Sequence, residues 1–211
     1  MSDSSADPSV RDPAVPLADR LAAWPVKRSR DLHRDDWIVA LREDVVTRPG
    51  HPEDEFVRMS LEHPGAVVIL AVDDQERVLC LRQYRHTTQR EFIELPAGLR
   101  DAADEPSVET AKRELREEAE LAATSWQLLL STFASAGISE EVQDIFLARG
   151  LSAAPRGDFE MLHEEAEMEI FWAPMSDLLE AVLDGRVRQG PLAQAVLAYD
   201  VLKRRDGFDS M

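Results

Sequence analysis

Residues Gly98–Leu121 read GLRDAADEPSVETAKRELREEAEL, and the folding of this stretch decides what must surround it. A loop opens at Pro96-Ala97-Gly98, passes through acidic residues and enters a helix predicted from about Pro106 to Leu121. Proline suits the entry because its fixed φ is already helical. Side chains three and four positions apart are neighbours on a helix surface, so Glu114, Glu117 and Glu118 form one acidic patch. Val108, Ala111, Leu115 and Ala119 or Ala122 make a small apolar stripe on the other side, fit to pack on a sheet. One face is core and the other gathers carboxylates, the ligands that hard divalent cations prefer.

Outward from the helix, the chain alternates apolar runs with turn signals. Ala66–Val72 is continuously apolar, as a strand covered on both faces would be. Asp73-Asp74-Gln75-Glu76 reads as a turn and Arg77–Tyr84 as a returning strand, which together predict a β-hairpin. Glu91–Leu95 is a short strand feeding the acidic loop. Trp126–Phe133, Gln143–Ala148 and Glu169–Pro174 read as further strands. Ser176–Asp184 and Pro191–Arg204 read as helices, the second with Leu192, Val196, Tyr199 and Leu202 at helical spacing. Upstream, Lys27–Leu32, Trp37–Val46 and Glu55–Leu61 are candidate antiparallel strands, the last with the alternation of a half-buried strand. A short helical turn is expected at residues 19–24. Residues 1–18 carry the Ser, Asp and Pro bias of a disordered lead-in. The expected class is α/β or α+β, a mixed sheet with helices on its faces.

The chain has 211 residues, one cysteine and a formal net charge of −17. That length suits one substantial core with a small accessory unit. The charge argues against nucleic acid or an anionic membrane surface as partner. No run reaches the ~20 apolar residues that cross a bilayer, and the N-terminus lacks the pattern of a secretory signal. A lone cysteine fits a reducing cytoplasm, and Cys80, in an apolar run with Val78 and Leu81, is expected to be a buried thiol. Tyr84 is expected in the core.

Gly98–Leu121 resembles the Nudix box, G-x5-E-x7-R-E-U-x-E-E-x-G-U with U apolar. Glu105, Arg113, Glu114, Leu115, Glu117, Glu118 and Leu121 fall on the pattern. It departs twice: six residues separate Gly98 from Glu105, and Glu120 stands where the box has its second glycine. A longer loop costs little. Losing the glycine removes a left-handed helix cap, at roughly 1 kcal/mol. Arg82-Gln83-Tyr84-Arg85-His86 and Glu94-Leu95-Pro96-Ala97-Gly98 further resemble bacterial ADP-ribose pyrophosphatases.

The resemblance implies an α/β/α sandwich over residues 63–205, with 19–62 as an N-terminal strand domain for homodimerisation and 206–211 as a tail. It implies Mg²⁺ or Mn²⁺ held by Glu114 and Glu118, with Glu117 in support and the Ala97 carbonyl as a backbone ligand. Arg85 would contact a substrate phosphate, and Gly137 and Glu141 would lie in the substrate loop. Glu105 and Arg113 would form a structural ion pair behind Gly98. Glu164 or Glu165, in the run His163–Met168, would act as base or orient the attacking water. The reaction implied is hydrolysis of a pyrophosphate bond in a nucleoside diphosphate derivative, with ADP-ribose first. A nucleotide sugar, another dinucleotide or a non-catalytic sensor are the alternatives. The loop Ser135-Ala136-Gly137 has alanine where that subfamily has proline, and this bears on the substrate.

Overall fold

In the computed structural model, described for residues 17–34, 39–102, 104–157, 159–161 and 166–206, the central strand is β4, Ala66–Ala71. Its apolar continuity has a direct cause: both of its faces are covered. Val68, Leu70 and Val72 pack into one core with α2 (Met175–Leu183) and α3 (Gly190–Asp206). Val67, Ile69 and Ala71 pack into a second core with α1, Ser107–Ala119. The result is a helix–sheet–helix sandwich.

The main sheet has the order β7-β4-β9-β8, formed with β7 (Ala97–Leu99), β8 (Leu121–Phe133) and β9 (Val142–Ala153). β4 runs parallel to β9 and antiparallel to β7, so the sheet is mixed. A second, antiparallel sheet has the order β10-β5-β6, from β5 (Arg77–Arg85), β6 (Arg90–Glu94) and β10 (Glu169–Pro174). The third holds β1 (Val26–Arg34), β2 (Ala40–Arg48) and β3 (His51–Glu62) in that order.

The expected hairpin of the two strands at 66–84 does not form. β4 and β5 meet only at the isolated bridge Val72–Val78 and then enter different sheets. A strand buried on both faces needs a neighbour on each edge, and β7 and β9 fill those places for β4. The turn between them is tightly made nonetheless. Asp73 Oδ1 accepts from the amides of Gln75 and Arg77 at 2.9 and 2.8 Å, and Glu76 is left-handed, with φ 56°.

That turn is also tied to α3. Glu76 accepts from Arg149 Nη2 at 2.6 Å, and from Tyr199 Oη and Lys203 Nζ at 2.7 Å each. Partial burial works to raise the Glu76 pKa, but these bonds outweigh it and hold the carboxyl at about 2. Burial pushes the Tyr199 phenol well above its ordinary range.

α1 seats on the sheet through Ala111 and Leu115, both fully buried, with Val108 and Ala119 beside them. Truncating a side chain such as Leu115 to alanine costs about 2–5 kcal/mol. Cys80 is buried, which pushes its thiol up to about 12. No helix among the described residues is long and apolar enough to cross a membrane.

Three local expectations fail. Residues 19–24 are exposed and form no helix. β3 is not half-buried: Val57 and Met59 are 50% and 46% exposed. Tyr84 is 40% exposed, its hydroxyl near His86 Nδ1, because β5 has left the core by that point.

Candidate active site

The helix α1 delivers its carboxylates to β7. Gly98 sits directly under Glu114. A Cβ on Gly98 would lie 2.1 Å from the Glu114 carboxyl carbon, so only glycine lets the carboxylate approach the strand this closely. One turn on, Glu118 Oε2 accepts a hydrogen bond from the Ala97 amide at 3.0 Å. Both glutamates are buried. Burial pushes the Glu114 pKa up to about 7, against the opposing pull of the Arg113 guanidinium.

Arg113 Nη1 lies 2.8 Å from Glu114 Oε1 and donates to Glu117 Oε2 at 3.1 Å. The Arg113 guanidinium also reaches Asp101 at 3.7 Å. The expected pairing of Arg113 with Glu105 is therefore not the one formed. Glu105 instead accepts from the Thr110 hydroxyl at 2.8 Å, closing the loop onto the first turns of the helix. The loop residue Asp101 lies nearer to the Arg113 guanidinium than the motif glutamate does. Among the described residues no three His, Cys, Asp or Glu side chains converge as a ready-made metal cage. The donor set still fits a hard cation: Glu114, Glu117 and Glu118 share one face of the helix, two of them are buried, and carboxylate oxygens suit Mg²⁺ or Mn²⁺.

Glu120 answers the question raised by the missing glycine. It is left-handed all the same, with φ 54°, and its amide closes the helix onto Arg116 and Leu115 carbonyls. The cap survives, at a strain on the order of 1 kcal/mol. Arg156 Nε lies 3.7 Å from Glu120 Oε1.

Strand alternation places Arg85. Val78 and Cys80 pack under α2 and α3, whereas Leu79 packs under α1. Successive residues of a strand point to opposite faces, so Leu81, Gln83 and Arg85 belong to the α1 side, with the glutamates. Arg85 makes two parallel hydrogen bonds to Glu94, Nε to Oε1 at 3.0 Å and Nη2 to Oε2 at 2.6 Å. Glu94 was not singled out as a site residue by sequence. Its signal was a carboxylate between the apolar residues Ile93 and Leu95 at the end of a strand, just ahead of Pro96.

Gly137 lines a groove of about 540 Å³ between β3 and the loop 135–141, with Asp44, Arg58, Phe133 and Ala136 on its walls. Leu61 joins the two sides, donating its amide to Ile138 at 2.7 Å. Glu141 is not on that wall; it accepts from Gln143 Nε2 at 2.7 Å. Glu164 and Glu165 lie outside the described residues.

Comparison with known proteins agrees with this geometry. The NUDIX domain model matches residues 61–195. The chain is 43% identical over 161 residues to an ADP-ribose pyrophosphatase of Mycobacterium tuberculosis, covering 76% of each chain. It is 32% identical over 139 residues to an ADP-ribose pyrophosphatase of Bacillus subtilis, covering 66% of this chain and 74% of that one. Among solved structures, an ADP compounds hydrolase superposes with a TM-score of 0.71 at 18% identity, covering 90% of this chain and 99% of the other, a likeness of fold.

Proposed function

This chain belongs to the NUDIX family of hydrolases, and from that membership and the site geometry we propose divalent-metal-dependent hydrolysis of ADP-ribose to AMP and ribose 5-phosphate. The observation that carries the reading is the buried pair Glu114 and Glu118, set against Ala97-Gly98. The names of the two pyrophosphatase relatives support the substrate.

Glu114 and Glu118 would hold the cation, with Glu117 in support and the Ala97 carbonyl as a backbone ligand. Bound Mg²⁺ or Mn²⁺ supplies charge for the diphosphate oxygens and lowers the pKa of a water. Arg85 binds the diphosphate, for which a guanidinium fork is well shaped. Gly137 and Glu141 belong to the loop beside the substrate. Glu164 or Glu165 takes the proton of the attacking water or orients it, a role worth ~10²–10⁴-fold. Water attacks one phosphorus and the bond from that phosphorus to the bridging oxygen breaks, so the attacked phosphate keeps the water oxygen and the other leaves with the bridging oxygen.

The test is release of AMP from ADP-ribose with Mg²⁺ or Mn²⁺, compared with a panel of nucleotide sugars and dinucleotides by kcat/KM. No turnover of any of them by the metal-loaded protein would defeat the reading. Faster turnover of a nucleotide sugar would favour the second reading, which rests on Ala136 in the substrate loop.

A homodimer through residues 19–62 belongs to the same proposal. Val57 and Met59 stand exposed on one face of that three-stranded sheet, and exposed apolar residues together on a sheet face favour a partner. Light scattering should give twice the 23.7 kDa chain mass, and half that in Val57→Lys/Met59→Lys. A monomeric wild type would remove the assignment. A reducing cytoplasmic setting fits the single, buried Cys80.

A further inference from the structure

We propose that Glu94 is a positioning residue that fixes the Arg85 guanidinium for the diphosphate, an inference that rests on Arg85 being a substrate ligand. Glu94 is 3% exposed, whereas the Arg85 side chain is 47% exposed. One end of the pair is anchored in the protein and the other reaches the surface.

The register explains the arrangement. Glu94 is the cross-strand partner of Leu81, and Arg85 pairs with Arg90. Arg85 therefore does not meet Glu94 directly across the ladder. Its side chain lies back along β5, past Gln83, to reach the carboxylate. Ile93 and Leu95 pack under α2 and α3, so alternation turns Glu94 to the α1 side. Gln83 is buried, and alternation puts it on that same side.

Two bonds from one guanidinium edge to one carboxylate fix a plane as well as a position. A lone arginine at a strand end samples many rotamers, and holding it still costs entropy each time substrate binds. Glu94 removes that cost before binding. The chain just beyond it is attached as well, because Ala97, three positions on, donates to Glu118. One short segment, 94–97, thus sets both the arginine and a carboxylate of the candidate metal site. Without the Glu94 charge Arg85 would keep its own charge but lose these two charge-assisted bonds.

The experiment compares wild type, Glu94→Gln, Glu94→Asp, Arg85→Gln and the double variant Arg85→Gln/Glu94→Gln. Two quantities are read at saturating Mg²⁺: kcat and KM with ADP-ribose, and Kd for α,β-methylene-ADP, a diphosphate that is not hydrolysed. Glu94→Gln is expected to weaken Kd and raise KM about tenfold, the scale of one charge-assisted hydrogen bond. Glu94→Asp should fall between it and wild type. The double variant should be no worse than Arg85→Gln alone, because Glu94 acts through Arg85.

A Glu94→Gln effect that persists in the Arg85→Gln background, or that tracks loss of thermal stability across the set, overturns the proposal. So does an unchanged or tighter Kd in Glu94→Gln while Arg85→Gln binds weakly, which leaves the Arg85 reading standing. An unchanged Kd in Arg85→Gln removes that reading and this proposal together. If wild type binds the analogue but does not hydrolyse ADP-ribose, the substrate reading fails alone and the Kd series still decides. If Glu94→Gln does not fold, Glu94→Asp carries the same comparison.

Discussion

One hydrogen bond joins Ala97 to Glu118: the alanine amide donates to the glutamate Oε2 at 3.0 Å, across 21 positions of chain. It pins the last full turn of α1 to the short edge strand β7. The same strand takes the Glu114 carboxylate against Gly98. The acidic helix is thus held at two successive turns by adjacent backbone positions, which sets how far its carboxylates can move.

Glu118→Gln keeps the shape and one acceptor oxygen, so the bond from Ala97 can still form. Its melting temperature in the absence of metal should match wild type within a few degrees. Its kcat should fall by about 10²-fold or more, and the rise in melting temperature that saturating Mg²⁺ gives wild type, equivalent to about 2.7 kcal/mol at 100 times Kd, should shrink. Calorimetry with and without Mg²⁺, beside a rate assay, checks all three. Full activity in the variant would remove Glu118 from the metal site.

Gly98→Ala places a methyl 2.1–2.5 Å from three atoms of the Glu114 side chain. The backbone itself is not in a conformation that demands glycine, so the damage falls on the carboxylate, which must swing away. Stability should drop by about 1–3 kcal/mol, and the Mg²⁺ concentration for half-maximal rate should rise about tenfold or more. A variant with unchanged Mg²⁺ dependence would show that Glu114 does not need that seat.

Glu120→Gly relieves a left-handed non-glycine residue at the end of α1. It gives up only a long contact to Arg156, 3.7 Å at its nearest. The expected gain is about 0.5–1 kcal/mol, or about 1–4 °C in melting temperature. A loss of stability would mean that the contact with Arg156 outweighs the strain.

Acid should expose the Glu76 network. The native carboxyl is held at about 2 against an ordinary 4.5, so the folded state binds its proton later than the unfolded chain does. Its contribution is present above about pH 4.5 and fades as pH falls towards 2. Glu76→Gln should therefore be less stable than wild type at pH 7, with the gap narrowing between pH 4.5 and 2. Denaturant titrations at both ends of that range check it, and a gap that does not change with pH would contradict the assignment.

Much of the fold was legible because local patterns carry it. The continuous apolar run 66–72 announced a strand covered on both faces. The stripe Val108–Ala111–Leu115 announced which side of α1 is core. Pairing was not legible. The Asp73–Glu76 turn looked like a hairpin, but the choice of partner for β4 depends on which strand from far along the chain completes its edges. The exposed Val57 and Met59 of β3 misled in another way, since alternation speaks only of what an element prefers to bury.

The order of residues alone determined the acidic face: three glutamates at helical spacing behind a glycine loop can be read without coordinates, because helix geometry makes neighbours of positions three and four apart. Tertiary structure decided the partners. Arg113 took Asp101, Glu114 and Glu117 rather than Glu105, and Arg85 took Glu94, because side-chain pairing is settled by which strands and loops lie within a few ångströms after packing. The missing glycine shows both levels at once. Sequence revealed that Glu120 stands in its place, and only the packed helix end showed that a glutamate keeps the left-handed turn.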